Sequence, residues 1–508
     1  MRRPMRWRLG ILNAASAALL LMAFAAAAHA QRATTAAPAQ AAGAPSTELQ
    51  TRSIDELIQA LPGRFVPLAQ LVRAALDHGL DAQLANAERR VVEADAVIAG
   101  RVIDPTLQLG SGLTSKGVAD ENVFRTAQAV VSGQLPWGTA LAASLTRGPG
   151  RDIAGTSLFS QQNVYGLSIS QPLLEGFNQR TTDWSAARIE RTAAVQSFAR
   201  VREGVAADIE LLYWTLAETQ ASEAVYQRSL VLAQTLLSRN SELAKRDMVA
   251  EVDVLTSRGG VALRTSSLIQ ARQARRDASD RLLFAAYGDH AVDEIARDST
   301  PVKSIDSDER GVSSAELVSA LATAVAKRKD LIAAQGRRDA AKLRVSQTRN
   351  ALLPGLSVDG GFSSTPSSGT AIDGSALGRN SAWRIGLSLS APLFNYGDRG
   401  GSLRADAMYD IQDVRVRSTL SDVQRETRAA VRAVESVRER RAAAEQAASL
   451  AWDQLVAERK RLDLGLGDSF RLLQTEENAV RAELEAVRAR YELARAQVRF
   501  RYAIGNGA

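Results

Sequence analysis

The sequence predicts a mostly α-helical fold with a smaller β part, laid out as a duplicated helix–strand–strand–long helix–helix repeat. Three observations carry this. Residues 176–245 and 396–462 read as very long helices, the first free of proline and with Gly204 as its one interior glycine. The stretch GLSISQPLL at 166–174 returns as GLSLSAPLF at 386–394. Other residues also recur at a nearly constant spacing, the mark of a tandem duplication.

The chain starts with a segment of its own. Arg2, Arg3, Arg6 and Arg8 precede an apolar run from Leu9 to Ala28, and Ala28-His29-Ala30 supplies a small-x-small cleavage pattern. Residues 1–30 therefore read as a secretory signal peptide. Removing its four arginines lowers the formal charge from +7 to about +3, too small an excess on a large chain for a nucleic-acid binder. The chain has no cysteine, which excludes disulfides, thiolate metal sites and a lipid-modified cysteine. Residues 31–64 begin with small, polar, proline-containing sequence and read as a flexible mature N-terminus.

The first repeat spans 65–288. Leu68, Leu71, Val72, Ala75 and Leu76 set a helical spacing that runs towards Arg101, and Pro105 ends it. Glycine-, serine- and threonine-rich sequence with alternating apolar residues fills 105–171. In the long helix that follows, Ile209, Leu212, Leu216, Leu230, Ala233 and Leu237 form a heptad-like stripe. A helix of that length measures roughly 100 Å. A break at 246–254 precedes a second helix from Glu251 to Tyr287, closed by Gly288. Residues 289–313 are a polar linker. The second repeat, 314–508, restates the order: a helix over 315–352, β sequence over 354–391, the long helix, a break at 463–471 and a final helix from Ser469 to Ile504.

Offsets test the duplication. Asp81 and Asp330, Arg89 and Arg338, and Pro105 and Pro354 each differ by 249 positions. Pro172 and Pro392 differ by 220, Leu255 and Leu473 by 218, Gly288 and Gly505 by 217. The one large step, of 29 residues, falls between the prolines bounding the β region. The first copy thus has a surplus there. Its sequences 123–135 and 139–147, flanking Pro136-Trp137-Gly138, read as two more strands around a tight turn or as an extracellular elaboration.

Tyr165, Leu167 and Ile169 alternate with Gly166, Ser168 and Ser170; Trp383, Ile385, Leu387 and Leu389 alternate with Arg384, Gly386, Ser388 and Ser390. Period-2 alternation makes a strand with one apolar and one small polar face. Stretches 163–171 and 381–391 are long enough to cross a tilted outer-membrane barrel. A half-solvated strand of a sandwich alternates in the same way. Pro172 and Pro392 end a ladder and suit the first turn of a helix, so each motif is a strand-to-helix junction. Pro105 and Pro354 mark the reverse, helix-to-strand junctions. Two strands per copy give four per chain, too few to close a barrel, and lipid does not tolerate open edges. A membrane β part therefore requires several chains around one barrel.

Together these features resemble the TolC-type outer-membrane efflux protein family over about residues 65–505. Arg328-Lys329-Asp330-Leu331 resembles that family's Arg-Pro-Asp-Leu, with Lys329 replacing proline. Asn350 to Leu356 resembles its helix-to-strand junction, and Gln171-Pro172-Leu173-Leu174 its Gln-Pro-Leu-Phe junction. The resemblance implies a homotrimer with a β-barrel shared in outer-membrane lipid and an α-helical tunnel through the periplasm. It further implies docking on a periplasmic adaptor and an inner-membrane transporter. Substrate export follows, with drug or small-molecule efflux as the expected role and type I protein secretion as the alternative. An exported structural coiled-coil protein is the competing class.

The two tips resemble the family's Gly-x-x-Ser-x-x-Asp-Val-Leu turn. By that resemblance Met248, Val249, Ala250, Gly465, Leu466, Gly467 and Ser469 form the adaptor-contact turns, with Asp247 replacing glycine in the first copy. Asp253 matches the aspartate that holds the entrance closed. Arg471 stands where an aspartate often contributes to a selectivity ring, leaving Asp463 or Asp468 to supply it, and Asp253 and Arg471 are expected near each other across the tip. An enzyme is not expected: beyond the leader only His78 and His290 occur, with no nucleophile or phosphate-loop motif. No cofactor is implied.

Overall fold

The computed structural model describes residues 64–65, 67–100, 104–115, 123–149, 161–288, 299–300, 314–366 and 379–506. The expected signal peptide, residues 31–63 of the N-terminal segment and most of the linker lie outside them. In the first repeat come β1 (Arg64–Phe65), α1 (Leu68–His78), α2 (Leu80–Ala99), β2 (Thr106–Ser115), β3 (Val123–Gln134), β4 (Ala140–Pro149), β5 (Gln161–Pro172), α3 (Gln179–Ala244) and α4 (Glu251–Tyr287). The linker contributes β6 (Ser299–Thr300), and in the second repeat come α5 (Ser314–Lys327), α6 (Lys329–Asn350), β7 (Gly355–Pro366), β8 (Arg379–Ser390), α7 (Tyr396–Asp463) and α8 (Ser469–Ala503).

The helical stretches expected at 68–101 and 315–352 are each two helices. Gly79 and Arg328, equivalent at the 249-residue offset, adopt extended backbone (ψ 131° and 115°) and each caps the helix that follows. Periodicity alone does not show such a one-residue interruption, because the apolar stripe resumes on the same side.

The 66 residues of α3 and 68 of α7 each extend about 100 Å at 1.5 Å per residue. Their core is a seam of successive small clusters. Leu71 and Ala75 of α1 pack with Ile209, Tyr213 and Leu216 of α3 and Leu282 of α4. Further along, Ala217, Ala221 and Val225 of α3 meet Val480, Leu484 and Val487 of α8. Leu236 then meets Leu455 of α7 and Leu472 of α8. Each fully buried leucine contributes about 1.5–3 kcal/mol, and the many alanines let the helices approach closely. No helix among the described residues is long and apolar enough to cross a membrane.

Six strands form one antiparallel sheet in the order β2-β3-β4-β5-β7-β8. The two repeats meet where β5 pairs with β7, Tyr165 opposite Ser364 through Pro172 opposite Ser357. The surplus of the first copy forms β3 and β4. The two-residue strands β1 and β6 pair in parallel, joining the start of the first repeat to the linker.

Candidate functional site: the sheet, its junctions and the helical tips

The register sorts the sheet into two faces. One row across it reads Leu107, Val131, Ala143, Leu167, Phe362 and Trp383; the next includes Leu141, Ile169 and Ile385. These aliphatic and aromatic side chains are exposed, and no helix covers them. The opposite face carries Thr106, Ser132, Ala142, Ser168, Gly361 and Arg384 in one row. Also on that face, the Asp359 carboxylate accepts hydrogen bonds from Ser170 (2.6 Å), Ser388 (2.7 Å) and Ser357 (3.0 Å). Such a sheet suits lipid on one side and water on the other.

Four junctions tie sheet to helices. Pro105 and Pro354 each stand one residue before a strand, β2 and β7. Pro172 is the last residue of β5, whereas Pro392 lies just beyond β8, which ends at Ser390. Asn178 (φ 59°) and Asn395 (φ 43°) then turn the chain into α3 and α7 through left-handed backbone, a conformation asparagine tolerates better than most residues. Six positions separate Pro172 from Asn178 but three separate Pro392 from Asn395, so the offset drops from 220 to 217 inside this turn. Asn350, at the end of α6, accepts from the Gly176 N–H (3.0 Å) and donates to the Leu174 carbonyl (3.2 Å), locking the two copies' junctions together.

At the other end of the long helices the two tips share one geometry. After α3, the Asp247 N–H donates to Ala244 O and the Met248 N–H to Leu243 O; after α7, Gly465 donates to Leu462 O and Leu466 to Arg461 O. Both are helix ends closed by a left-handed residue. Asp247 sits at φ 56° where its counterpart Gly465 sits at φ 73°. The aspartate therefore adopts the glycine conformation without being glycine. Met248, Leu466, Val252, Leu464 and Phe470 are exposed around these turns, as are Ala250 and Gly465, while Val249 and Gly467 are half-buried.

The charged tip residues are distributed differently from the sequence expectation. Within the chain Arg471 faces Glu458, at 3.7 Å, and no ion pair joins it to Asp253. Asp253, in the first turn of α4, forms backbone contacts only: its N–H donates to Ala250 O and its carbonyl accepts from Ser257. Asp463 pairs with Arg239 of α3. Asp468 is the N-cap of α8, its side chain accepting the Arg471 N–H at 2.7 Å. Ser469 is buried rather than presented on the turn, because Asn240 of α3 donates to its Oγ (2.9 Å) and to Ser257 Oγ (2.8 Å). Those three buried polar side chains join α3, α4 and α8 just inside the tips.

Further polar clusters, invisible in the sequence, link helices along the seam. Arg264 of α4 pairs with Glu476 of α8 at 3.1 Å, and Ser229 of α3 donates to the same oxygen. Burial dominates at Glu476 and pushes its carboxyl up despite the cation. Arg228 lies over the Trp452 ring, 4.4 Å from its centroid, and pairs with Glu483. The Arg328-Lys329-Asp330 motif does have a sequence signal. Arg328, almost fully buried, donates to both Asp330 oxygens (3.0 and 2.5 Å) and to Glu426 of α7 (2.6 Å). Lys329 reaches Glu203 of α3 (2.7 Å), and Arg200 stacks on Tyr502 of α8 (3.5 Å). Burial opposes the Asp330 charge, but the hydrogen bonds and charge of Arg328, aided by Arg200 and the Leu331 N–H, hold its carboxyl below the usual range. Among the described residues no cluster of acids, histidines or cysteines could hold a metal ion.

Residues 320–506 match the family of outer membrane efflux proteins. Solved structures are similar over nearly the whole chain. The outer-membrane channel OprN is 20% identical with a TM-score of 0.64, over 87% of this chain and 90% of its own. The CmeC outer membrane channel of Campylobacter jejuni is 18% identical, TM-score 0.63, covering 87% and 86%. This is the TolC-type fold. The outer membrane protein VceC of Vibrio cholerae shares it too, 17% identical with a TM-score of 0.63 over 87% of this chain and 96% of that one. No curated protein sequence matches the chain significantly. TolC-type proteins are outer-membrane channels, and these similarities bear out the resemblance to them.

Proposed function

We propose that the chain is an outer-membrane exit duct for small-molecule efflux. Three copies close their sheets into one barrel in outer-membrane lipid, and their long helices form a tunnel across the periplasm. The observation that carries this reading is a sheet with one exposed apolar face, one small polar face and two open edges, joined by proline junctions to helices about 100 Å long. Open edges in lipid demand partner strands, and further copies of the chain supply them. The matched family's description as efflux proteins favours efflux over protein secretion.

The tips form the periplasmic entrance in this reading. Met248, Val249, Ala250, Leu466 and Gly467 dock an adaptor that in turn binds an inner-membrane pump, with Gly465 and Asp247 shaping the turns. Asp253 and Arg471 help hold the entrance shut across the tip, and Asp463 or Asp468 supplies an acidic ring there. Fractionation of the native host tests the proposal. The chain should be found in the outer membrane and migrate as a trimer until heated. A monomer in the soluble periplasmic fraction would refute it and favour an exported coiled-coil protein.

A further inference from the structure

The second hairpin of the first copy has a place in the sheet that fixes what it does. β3 and β4 lie between β2 and β5, so β2 reaches the rest of the sheet only through them. Ten residue pairs join β2 to β3, eight join β3 to β4 and ten join β4 to β5.

The turn between β3 and β4 is built into the helix junction. Thr181 Oγ1 of α3 donates to Pro136 O at 2.9 Å, and the Asn178 N–H donates to Trp137 O at 3.2 Å. Gly138 has φ 101°, and a Cβ there would lie 2.8 Å from Gly176 O and 2.9 Å from Pro172 Cγ, so only glycine fits. Thr139, buried, donates to Gln171. A hairpin elaborating the far end of a barrel would have no reason to carry its turn here.

The edges complete the case. Strand direction alternates across an antiparallel sheet of six, so β2 and β8 run in opposite senses. The free edge of β8 in one copy can therefore continue the ladder with β2 of the next. Exposure follows the same geometry. Leu109, Leu113, Ile385 and Leu389 on the edge strands are 71–75% exposed, whereas Val131, Ile169 and Phe362 inside the sheet are 45–47% exposed.

From these placements we infer that each chain gives six strands to the shared barrel, with β8 of one copy pairing antiparallel to β2 of its neighbour. The inference rests on the trimeric duct proposed above. Six strands from each of three chains make an eighteen-stranded barrel, against the twelve that one hairpin per repeat would supply. At equal strand tilt, barrel diameter grows roughly in proportion to strand number. The outer-membrane section is then about one and a half times as wide as a twelve-stranded one. Barrels of this size leave an aqueous channel, and Gly110, Ser168, Gly361 and Gly386 are among the residues facing it, beside Gln108, Gln128 and Arg384.

Electron cryomicroscopy of the full-length protein in lipid nanodiscs tests this by counting strands. A closed ring of eighteen with a β8–β2 seam between protomers is expected. A closed ring of twelve with β3 and β4 outside it overturns the inference but leaves the duct. Absence of any common barrel overturns the duct reading itself. The cysteine-free chain allows a second measurement. Gln108→Cys on β2, combined in turn with Arg384→Cys, Gly386→Cys and Ser388→Cys on β8, should give inter-chain disulfides in at least one pair. Gln108→Cys with Val130→Cys of β3 should give none between chains. Failure of all three edge pairs would overturn the seam.

Discussion

Replacing Asp330 by asparagine removes one negative charge from the side of an almost fully buried guanidinium. Arg328 donates twice to Asp330 and once to Glu426, and its side chain is 4% exposed. Asparagine retains one acceptor and loses the other, along with the charge. A hydrogen bond to a charged group contributes about 1.5–3 kcal/mol. Asp330 also sits in the first turn of α6, where a negative charge adds about 0.3–1 kcal/mol against the helix dipole. The expected cost at neutral pH is about 2–4 kcal/mol per chain. Arg328→Met should cost less. The carboxylates it leaves behind are 30% and 46% exposed and can hydrate, whereas Asp330→Asn leaves a buried cation short of a partner. Urea unfolding of the detergent-solubilised protein, followed by tryptophan fluorescence, would measure both. An unchanged midpoint for Asp330→Asn, or a larger loss for Arg328→Met, would refute the reasoning.

The other predictions concern pH and the tips. Asp330 has a lowered carboxyl pKa, so its contribution is present above the ordinary carboxylate range and is lost as pH falls through its folded value. Glu476 is raised, mainly by burial, so the sign reverses: its contribution is fullest below the ordinary glutamate value and is lost as pH rises through the folded one. The stability gap between wild type and Glu476→Gln should therefore shrink as pH rises above the ordinary glutamate value, while that for Asp330→Asn should stay level there and shrink only as pH falls below the ordinary aspartate value; two urea series that change over the same pH range and in the same direction would contradict this. Gly465→Ala should destabilise by about 1–2 kcal/mol and Asp247→Gly should stabilise slightly, since both positions have left-handed backbone. Equal effects of the same sign in thermal unfolding would count against a shared tip geometry. Asn240→Ala removes the donor joining Ser257 and Ser469, at a cost of about 1–3 kcal/mol. It should raise protease cleavage near residues 246–251, and an unchanged digestion pattern would argue against that clamp.

What the sequence made legible was local or repeated. The repeat aligned Asp247 with Gly465, and these two residues share left-handed backbone. Proline marked the junctions because it cannot extend a ladder. Polar and apolar residues alternate poorly in β3. Val130 shares the polar face with Gln128 and Ser132, while the apolar face holds only Ala127, Ala129 and Val131 there, so neither face of this strand has a strong signature of its own. What was not legible depends on contacts between distant residues. Asn240 and Ser469 are 229 positions apart, and Arg264 and Glu476 are 212 apart. No local pattern reveals that Ser469 turns inward, or that Arg471 faces Glu458 rather than Asp253.

The central claim is that this chain forms a water-filled duct through the outer membrane. Single-channel recording of the purified protein in a planar lipid bilayer tests it most directly. Discrete conductance steps are expected, small for wild type and larger when Asp253 and Arg471 are both replaced by alanine. A protein that inserts yet gives no steps in either form, or one that never enters the bilayer, would contradict it.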